Sequence, residues 1–206
     1  MKSSVSMALV LAAGALALAR PAVAQQPAAS SAHLAPGQWA VDGSVGFAVP
    51  VGNFGNGLNT GIDLMGAVEY HPVGTGPFYF RGEVGWTHFG ASGGGGHATI
   101  LRFDADGLYD FPLSGTPLNV YALAGLGLYH VSVTADICGF DAFGNPVTCG
   151  SGSTGLGINF GGGVRYPIST LQVFFELRYQ LPLTAPGSLS NAPFFPFQFG
   201  VRYPLG

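Results

Sequence analysis

Residues 197–205 read FQFGVRYPL. In an extended chain successive side chains point to opposite faces. Phe197, Phe199, Val201 and Tyr203 then share one face, and Gln198 and Arg202 share the other. The pentapeptide GVRYP inside this stretch occurs twice, at residues 163–167 and 200–204. Two relatives, VEYHP at 68–72 and YDFP at 109–112, keep the order apolar, charged, aromatic, proline. A string that recurs four times in one chain implies four equivalent structural positions.

The same two-residue period runs through the rest of the chain. Trp39, Val41, Val45, Phe47 and Val49 oppose Asp42 and Ser44; Ile62, Leu64, Val68 and Tyr70 oppose Asp63 and Glu69. Phe78, Phe80, Val84 and Trp86 oppose Arg81 and Glu83; Leu101, Phe103, Tyr109 and Phe111 oppose Arg102, Asp104, Asp106 and Asp110. Further on, Leu156, Ile158, Phe160, Val164 and Tyr166 oppose Asn159 and Arg165. Leu171, Val173, Phe175, Leu177 and Tyr179 oppose Gln172, Glu176, Arg178 and Gln180. The stretch VYALAGLGLYHVSV (120–133) is apolar on both faces. For it, Tyr121, Leu123, Tyr129 and Val131 are expected on the apolar face. Counting the opening stretch gives eight strands, each near the ~9–11 residues that cross a bilayer at a tilt.

Composition says which surface these strands face. Charged residues make up 8% of the chain, against about 25% in globular proteins. Gly (34) and Phe (16) are abundant. After the N-terminal leader no apolar run reaches the ~20 residues of a spanning helix. Too apolar for water and too interrupted for helices, the chain fits a membrane barrel, whose strands alternate lipid-facing and lumen-facing residues. The expected fold is all-β, an eight-stranded antiparallel up-and-down transmembrane β-barrel. A soluble lipocalin-type barrel would need polar outsides, whereas here aromatics and charges segregate to opposite faces. Connections alternate between short, as at VGTG, SGT and Ser169-Thr170, and long, as at GNFGNG, GASGGGGH, DICGFDAFGNPVTCGSGS and TAPGSLSNAP. Short periplasmic turns and longer outer loops are the habit of outer-membrane barrels.

The leader has Lys2, an apolar run from Met7 to Ala19 and Ala22-Val23-Ala24 before Gln25. This is the pattern of a cleaved secretory signal peptide over residues 1–24. A short extension over 25–37 and a barrel domain over 38–206 follow. Lys2 and Arg20 leave with the leader, so the mature chain carries five arginines, no lysine and ten acids. It has no basic patch for nucleic acid.

The four recurrent strings close the even-numbered strands on the periplasmic side. Tyr70, Phe111, Tyr166 and Tyr203 are expected in an aromatic girdle at the membrane–water interface. Their neighbours Glu69, Asp110, Arg165 and Arg202 point inward, and each proline ends its strand. QFGVRYPL (residues 198–205, Gln198 to Leu205) resembles the C-terminal recognition signal of outer-membrane barrels, although the last residue is Gly206 rather than an aromatic. Residues 38–205 as a whole resemble the small eight-stranded outer-membrane barrels of the OmpA and OmpW type. That resemblance implies the outer membrane of a Gram-negative-type cell, assembly by the barrel-assembly machinery through this C-terminal strand, and surrounding outer-membrane lipid and lipopolysaccharide. A monomer without a periplasmic domain is expected.

Thirteen of the mature chain's fifteen charges fall on the inward face. Glu69, Arg81, Glu83, Arg102, Asp104, Asp106, Asp110, Arg165, Glu176, Arg178 and Arg202 form the expected lumen charge network, with Asp42 and Asp63 beside them. An eight-stranded barrel is only just wide enough for its side chains to fill it, and buried charges must be paired, so an ion-paired plug outweighs a selective pore. Cys138 and Cys149 share one outer loop of an exported chain, which predicts a disulfide. Asp136, Asp141 and Asn145 nearby lack an ordered calcium-loop motif, and FGNP suits a turn. His130 and Ser132 weakly resemble the pair in the lipid A deacylase barrels. Such a site needs an acid to orient the histidine, and the nearest one in a later strand, Glu176, lies on the opposite face. His33, His71, His88 and His97 lack metal spacing, and Gly93 to Gly96 lacks the lysine and helix of a phosphate loop. No cofactor, metal or catalytic group is expected. The reading is a non-catalytic structural or surface barrel. Its alternative is a narrow channel or side opening for small solutes, apolar ones included, and a lipid-modifying enzyme is a distant third.

Overall fold

A computed structural model describes residues 33–111, 113–183 and 191–205. The expected signal peptide, residues 25–32 of the extension, Pro112, most of the TAPGSLSNAP loop and Gly206 lie outside the described residues. The strands are β1 (Trp39–Pro50), β2 (Gly61–Tyr70), β3 (Phe78–Gly90), β4 (Gly96–Phe111), β5 (Asn119–Phe140), β6 (Pro146–Ile168), β7 (Leu171–Pro182) and β8 (Phe194–Leu205). One short helical turn, α1 (Gly52–Gly55), follows β1. Each strand pairs antiparallel with the next, and β8 returns to β1 to close the barrel. This is the fold expected from the period-two pattern. Closure leaves no strand edge within the ring, a necessity where lipid offers no hydrogen bonds.

The inside–outside pattern follows the sequence on seven strands. Val45, Ile62, Phe80, Phe103, Leu156, Leu177 and Phe199 face outward and are exposed, while the charged alternates are buried. β5 is the exception. Tyr121, Leu123, Tyr129 and Val131 point into the lumen, and Leu126 and Leu128 face outward. Register decides this: Asp110 stands opposite Tyr121 and Asp104 opposite Gly127, so the inward face of β4 dictates that of β5. Gly127 is needed there, since a Cβ would sit 1.9 Å from the Asp104 carboxylate.

Two further expectations are corrected. The cysteine-containing stretch is not an irregular loop: β5 and β6 continue through it as a hairpin, broken by a bulge between Ala135 and Gly139 and closed by a turn at Asp141. And β6 and β8 do not stop at their prolines but run on to Ile168 and Leu205. Pro167 pairs only with β7 and Pro204 only with β1. Each stands where its strand has a neighbour on one side only, the kind of edge position where a sheet tolerates proline.

The lumen is layered. At the long-connection end lies an apolar cluster including Phe54 of α1, Phe89, Ile100, Val131 and Phe194. At the short-turn end Leu34 enters a second cluster with Ala40, Tyr79, Leu108, Tyr121 and Leu123. Most of the charges lie between the two, while Asp110 and Arg165 reach the level of the short-turn cluster beside Tyr121.

Candidate functional site: the ion-paired lumen

Four strands bring the charged members of the recurrent strings to one place. Arg165 Nη2 donates to Glu69 at 2.7 Å and its Nη1 donates to Asp110 at 3.1 Å. Arg202 pairs with the same Glu69. Arg81 donates to Glu69 through Nε at 2.9 Å and to Glu176 through Nη1 at 2.8 Å. The Arg165 guanidinium lies 4.0 Å above the centre of the Tyr121 ring, close enough for cation–π attraction.

Glu176 carries the chain of contacts upward, taking hydrogen bonds from Tyr121 at 2.6 Å and from Arg178. Arg178 also donates to Asp106 at 3.0 Å and Glu83 at 2.5 Å. Glu83 contacts Arg102, which grips Asp63 through two bonds of 2.7 and 3.1 Å. Asp104 lies 3.5 Å from Arg102 and is its weaker partner. With Asp42 3.7 Å from Arg81, all five arginines and eight acids belong to one connected set, and all are buried. Each guanidinium presents donors in a fixed fork and serves two or three carboxylates from different strands.

Sequence reasoning put Gln198, Asn159 and Gln180 on the inward face but did not foresee that they, with Thr87 and Tyr129, complete this set. Gln198 donates to Asp63 at 2.5 Å, Thr87 also at 2.5 Å, and Asn159 to Asp106 at 2.9 Å. Tyr129 donates to Gln180 at 2.5 Å. An inward Tyr is invisible to a hydrophobicity pattern, because its ring reads as apolar and its hydroxyl is counted as nothing. The N-terminal segment was missed as well. His71 Nδ1 lies 2.7 Å from the Leu34 carbonyl, and His33 Nδ1 lies 3.1 Å from Asp110. These contacts hold Leu34 in the short-turn mouth.

Tyr70, Phe111, Tyr166 and Tyr203 all point outward at the short-turn end, with the Trp39 ring tilted against Tyr70, 4.5 Å between ring centres. Cys138 and Cys149 form a disulfide across the β5–β6 hairpin. In the turn below it, Asp141 accepts hydrogen bonds from the Phe143 and Asn145 amides, both at 2.8 Å. The Asn145 side chain and backbone hold the Asp141 carboxyl below the ordinary range. His130 is exposed on the outer face, its Nδ1 2.7 Å from Thr154 Oγ1. Glu176 is inside the wall, on the opposite face from His130. Among the described residues no three His, Cys, Asp or Glu side chains are grouped to hold a metal.

Solved barrels share this architecture at low identity. Neisserial surface protein A is 19% identical, with 80% of this chain and 96% of that one covered and a TM-score of 0.61. A major outer membrane protein from Thermus thermophilus is 16% identical, covering 83% and 100%, with a TM-score of 0.58. Ail, the attachment invasion locus protein of Yersinia pestis, is 11% identical over 83% and 100%, with a TM-score of 0.53. Among the curated proteins none matches the sequence. These likenesses speak for the fold. The family model for the outer membrane protein beta-barrel domain matches residues 9–203, nearly the whole chain, and the protein belongs to that family of outer-membrane barrels.

Proposed function

We propose that the protein is a non-catalytic outer-membrane barrel with a sealed lumen, whose role is structural and whose contact with the surroundings is made by its outer connections, the β5–β6 hairpin foremost. The observation that carries this reading is the connected ion-paired set, with apolar clusters toward both ends of the lumen. Buried guanidinium–carboxylate forks fill the width that an ion would need. The hairpin supports the second half of the reading: β5 and β6 extend past their other neighbours, whose pairing begins only at Gly96 on one side and Gly157 on the other.

In this reading the chain is exported with cleavage before Gln25 and is assembled through residues 198–205 as a monomer. It sits in lipid and lipopolysaccharide with the girdle of Tyr70, Phe111, Tyr166 and Tyr203 at one interface. Arginine and lysine are absent from the outward face of the described strands, so fixed cations play no part in its lipid contacts. A solute channel would require the apolar clusters and the ion pairs to part together. Uptake of small apolar and polar solutes into proteoliposomes tests the reading. Rates equal to those of empty liposomes are expected, and faster uptake of either class would overturn it.

A further inference from the structure

One sector of the outer wall is polar. On β3 to β6 the outward residues toward the long connections include His88, His97, Thr99, His130, Ser132 and Thr154, all exposed or half-buried. On β1, β2 and β8 the outward residues toward that end are Phe47, Ile62 and Phe195. Register gathers the polar group. His88 stands opposite Thr99 and Thr99 opposite Ser132, while His130 stands opposite Thr154. His88 Nδ1 lies 3.1 Å from Thr99 Oγ1, and His130 Nδ1 lies 2.7 Å from Thr154 Oγ1. The His88 ring is 5.3 Å from that of His97 and lies nearly parallel to Trp86, 5.6 Å between ring centres.

The height of this sector puts it at a membrane surface. Phe78 belongs to the girdle end, since it packs on Tyr109, which packs on Phe111. His88 follows ten residues later on the same strand. That is about 34 Å along the strand and about 25 Å along the axis at the usual tilt, the height of the apolar band of an outer-membrane barrel. Below the polar sector the wall is apolar, with Leu101, Leu128 and Leu156 exposed on it. None of the polar residues is Arg or Lys, the groups from which phosphate grips are built. Hydroxyls and neutral imidazoles both give and accept hydrogen bonds, as the hydroxyls of a sugar do. Trp86 and His88 add flat ring faces with apolar bodies, on which the C–H face of a sugar ring packs. The outward position opposite Ser132 on β6 is Gly152, where a Cβ would lie 3.2 Å from Ser132 Oγ and 3.5 Å from the His130 ring. Glycine there keeps both side chains open to a ligand. Each threonine holds Nδ1 of its histidine, which leaves Nε2 as the group that ring offers.

We propose that the outward wall of β3–β6 at the long-connection end is a binding site for the sugar headgroup of an outer-leaflet glycolipid. The acyl chains lie against Leu101, Leu128 and Leu156. A sugar ring lies on Trp86 and His88, and its hydroxyls meet Ser132, His130 and the two threonines. The amphipathic wall, polar directly above apolar, fits a lipid rather than a free sugar. Recognition runs through hydroxyls, so neither a phosphate nor the salt concentration governs it. The inference rests on the orientation in the proposed function, with the long connections on the outer side.

The test uses the fluorescence of Trp86. The chain has two tryptophans, so Trp39→Phe leaves Trp86 as the sole reporter. This variant is refolded into phosphatidylcholine bilayers. Its emission should shift as digalactosyl diacylglycerol, which has no phosphate, or rough lipopolysaccharide is titrated in, at low and high salt alike. Phosphatidylglycerol and soluble lactose should leave it unchanged. Adding His88→Ala and His130→Ala should raise the half-saturating mole fraction of glycolipid, by roughly two- to tenfold for each hydrogen bond lost. Native mass spectrometry of the wild type released from mixed bilayers needs no substitution, and should find the digalactosyl lipid retained in preference to phosphatidylcholine. No response to either glycolipid overturns the proposal, as does an equal response to phosphatidylglycerol or a double variant that titrates like its parent. A response to lipopolysaccharide alone that high salt removes means phosphate binding, and a response to lactose means a free-sugar site; each overturns it too. A barrel that excludes solutes yet prefers no glycolipid sinks this inference alone, and one that admits solutes yet binds glycolipid sinks only the sealed lumen.

Discussion

The lumen and the β5–β6 hairpin both carry acids, in opposite settings. Asp141, in the hairpin, is fully exposed and is satisfied by amides two and four residues away. Glu176, in the lumen, is satisfied by Arg81 and Tyr121, 95 and 55 residues away, as well as by Arg178 on its own strand. The first arrangement needs only a turn. The second exists only once eight strands have closed in register. Removing a local partner should therefore loosen a tip, whereas removing a lumen partner should be felt by the whole barrel.

The largest effect expected from breaking this contrast is at Arg178, which serves Glu176, Asp106 and Glu83. Arg178→Ala strands buried acids and should lower stability by about 3–5 kcal/mol in a dry site, less where water follows; urea unfolding in detergent measures it. Tyr121→Phe removes one donor from Glu176 and should cost about 1–3 kcal/mol by the same assay. That variant also sharpens the assignment of the β5 face, because an outward Tyr121 would make the substitution neutral.

At the hairpin the effects should be smaller and local. Cys138 and Cys149 are 11 residues apart in sequence. The bond closes a small ring, worth about 2–3 kcal/mol to the segment it spans. Reduction, or Cys138→Ser with Cys149→Ser, should speed protease cleavage near residues 136–148 and leave the barrel's unfolding midpoint unchanged. The smallest effect is the pH response of the turn. Asp141 is held below the ordinary range by Asn145, so its contribution is present above the usual aspartate value and is lost as pH falls through the lowered one. Amide exchange at Phe143 and Asn145 should accelerate only on strong acidification, and Asp141→Ala should show the fast rate at every pH.

Much of the fold is legible in the sequence. Strict alternation assigns seven strands their faces, because in a barrel of this size one face must be lipid and the other a filled interior. The recurrent strings identify Glu69, Asp110, Arg165 and Arg202 as residues of one level. β5 reads the wrong way round because Tyr121 and Tyr129 look apolar while serving as hydrogen-bond donors, and because its face is decided by register with β4. The glycines at 125 and 127, which leave room for Asp106 and Asp104, are the overlooked signal. Leu34 in the mouth of the barrel has no periodic signature at all, since a single side chain has no period.

The central claim is that the lumen is closed by its own charges. Single-barrel recording in planar bilayers tests that most directly. The wild type should show no steady conductance, and Arg165→Ala, which frees Glu69 and Asp110 from a shared partner, should either destabilise the barrel or open a measurable current. Steady ohmic conductance from the wild type, or an Arg165→Ala barrel unchanged in both stability and conductance, would contradict it.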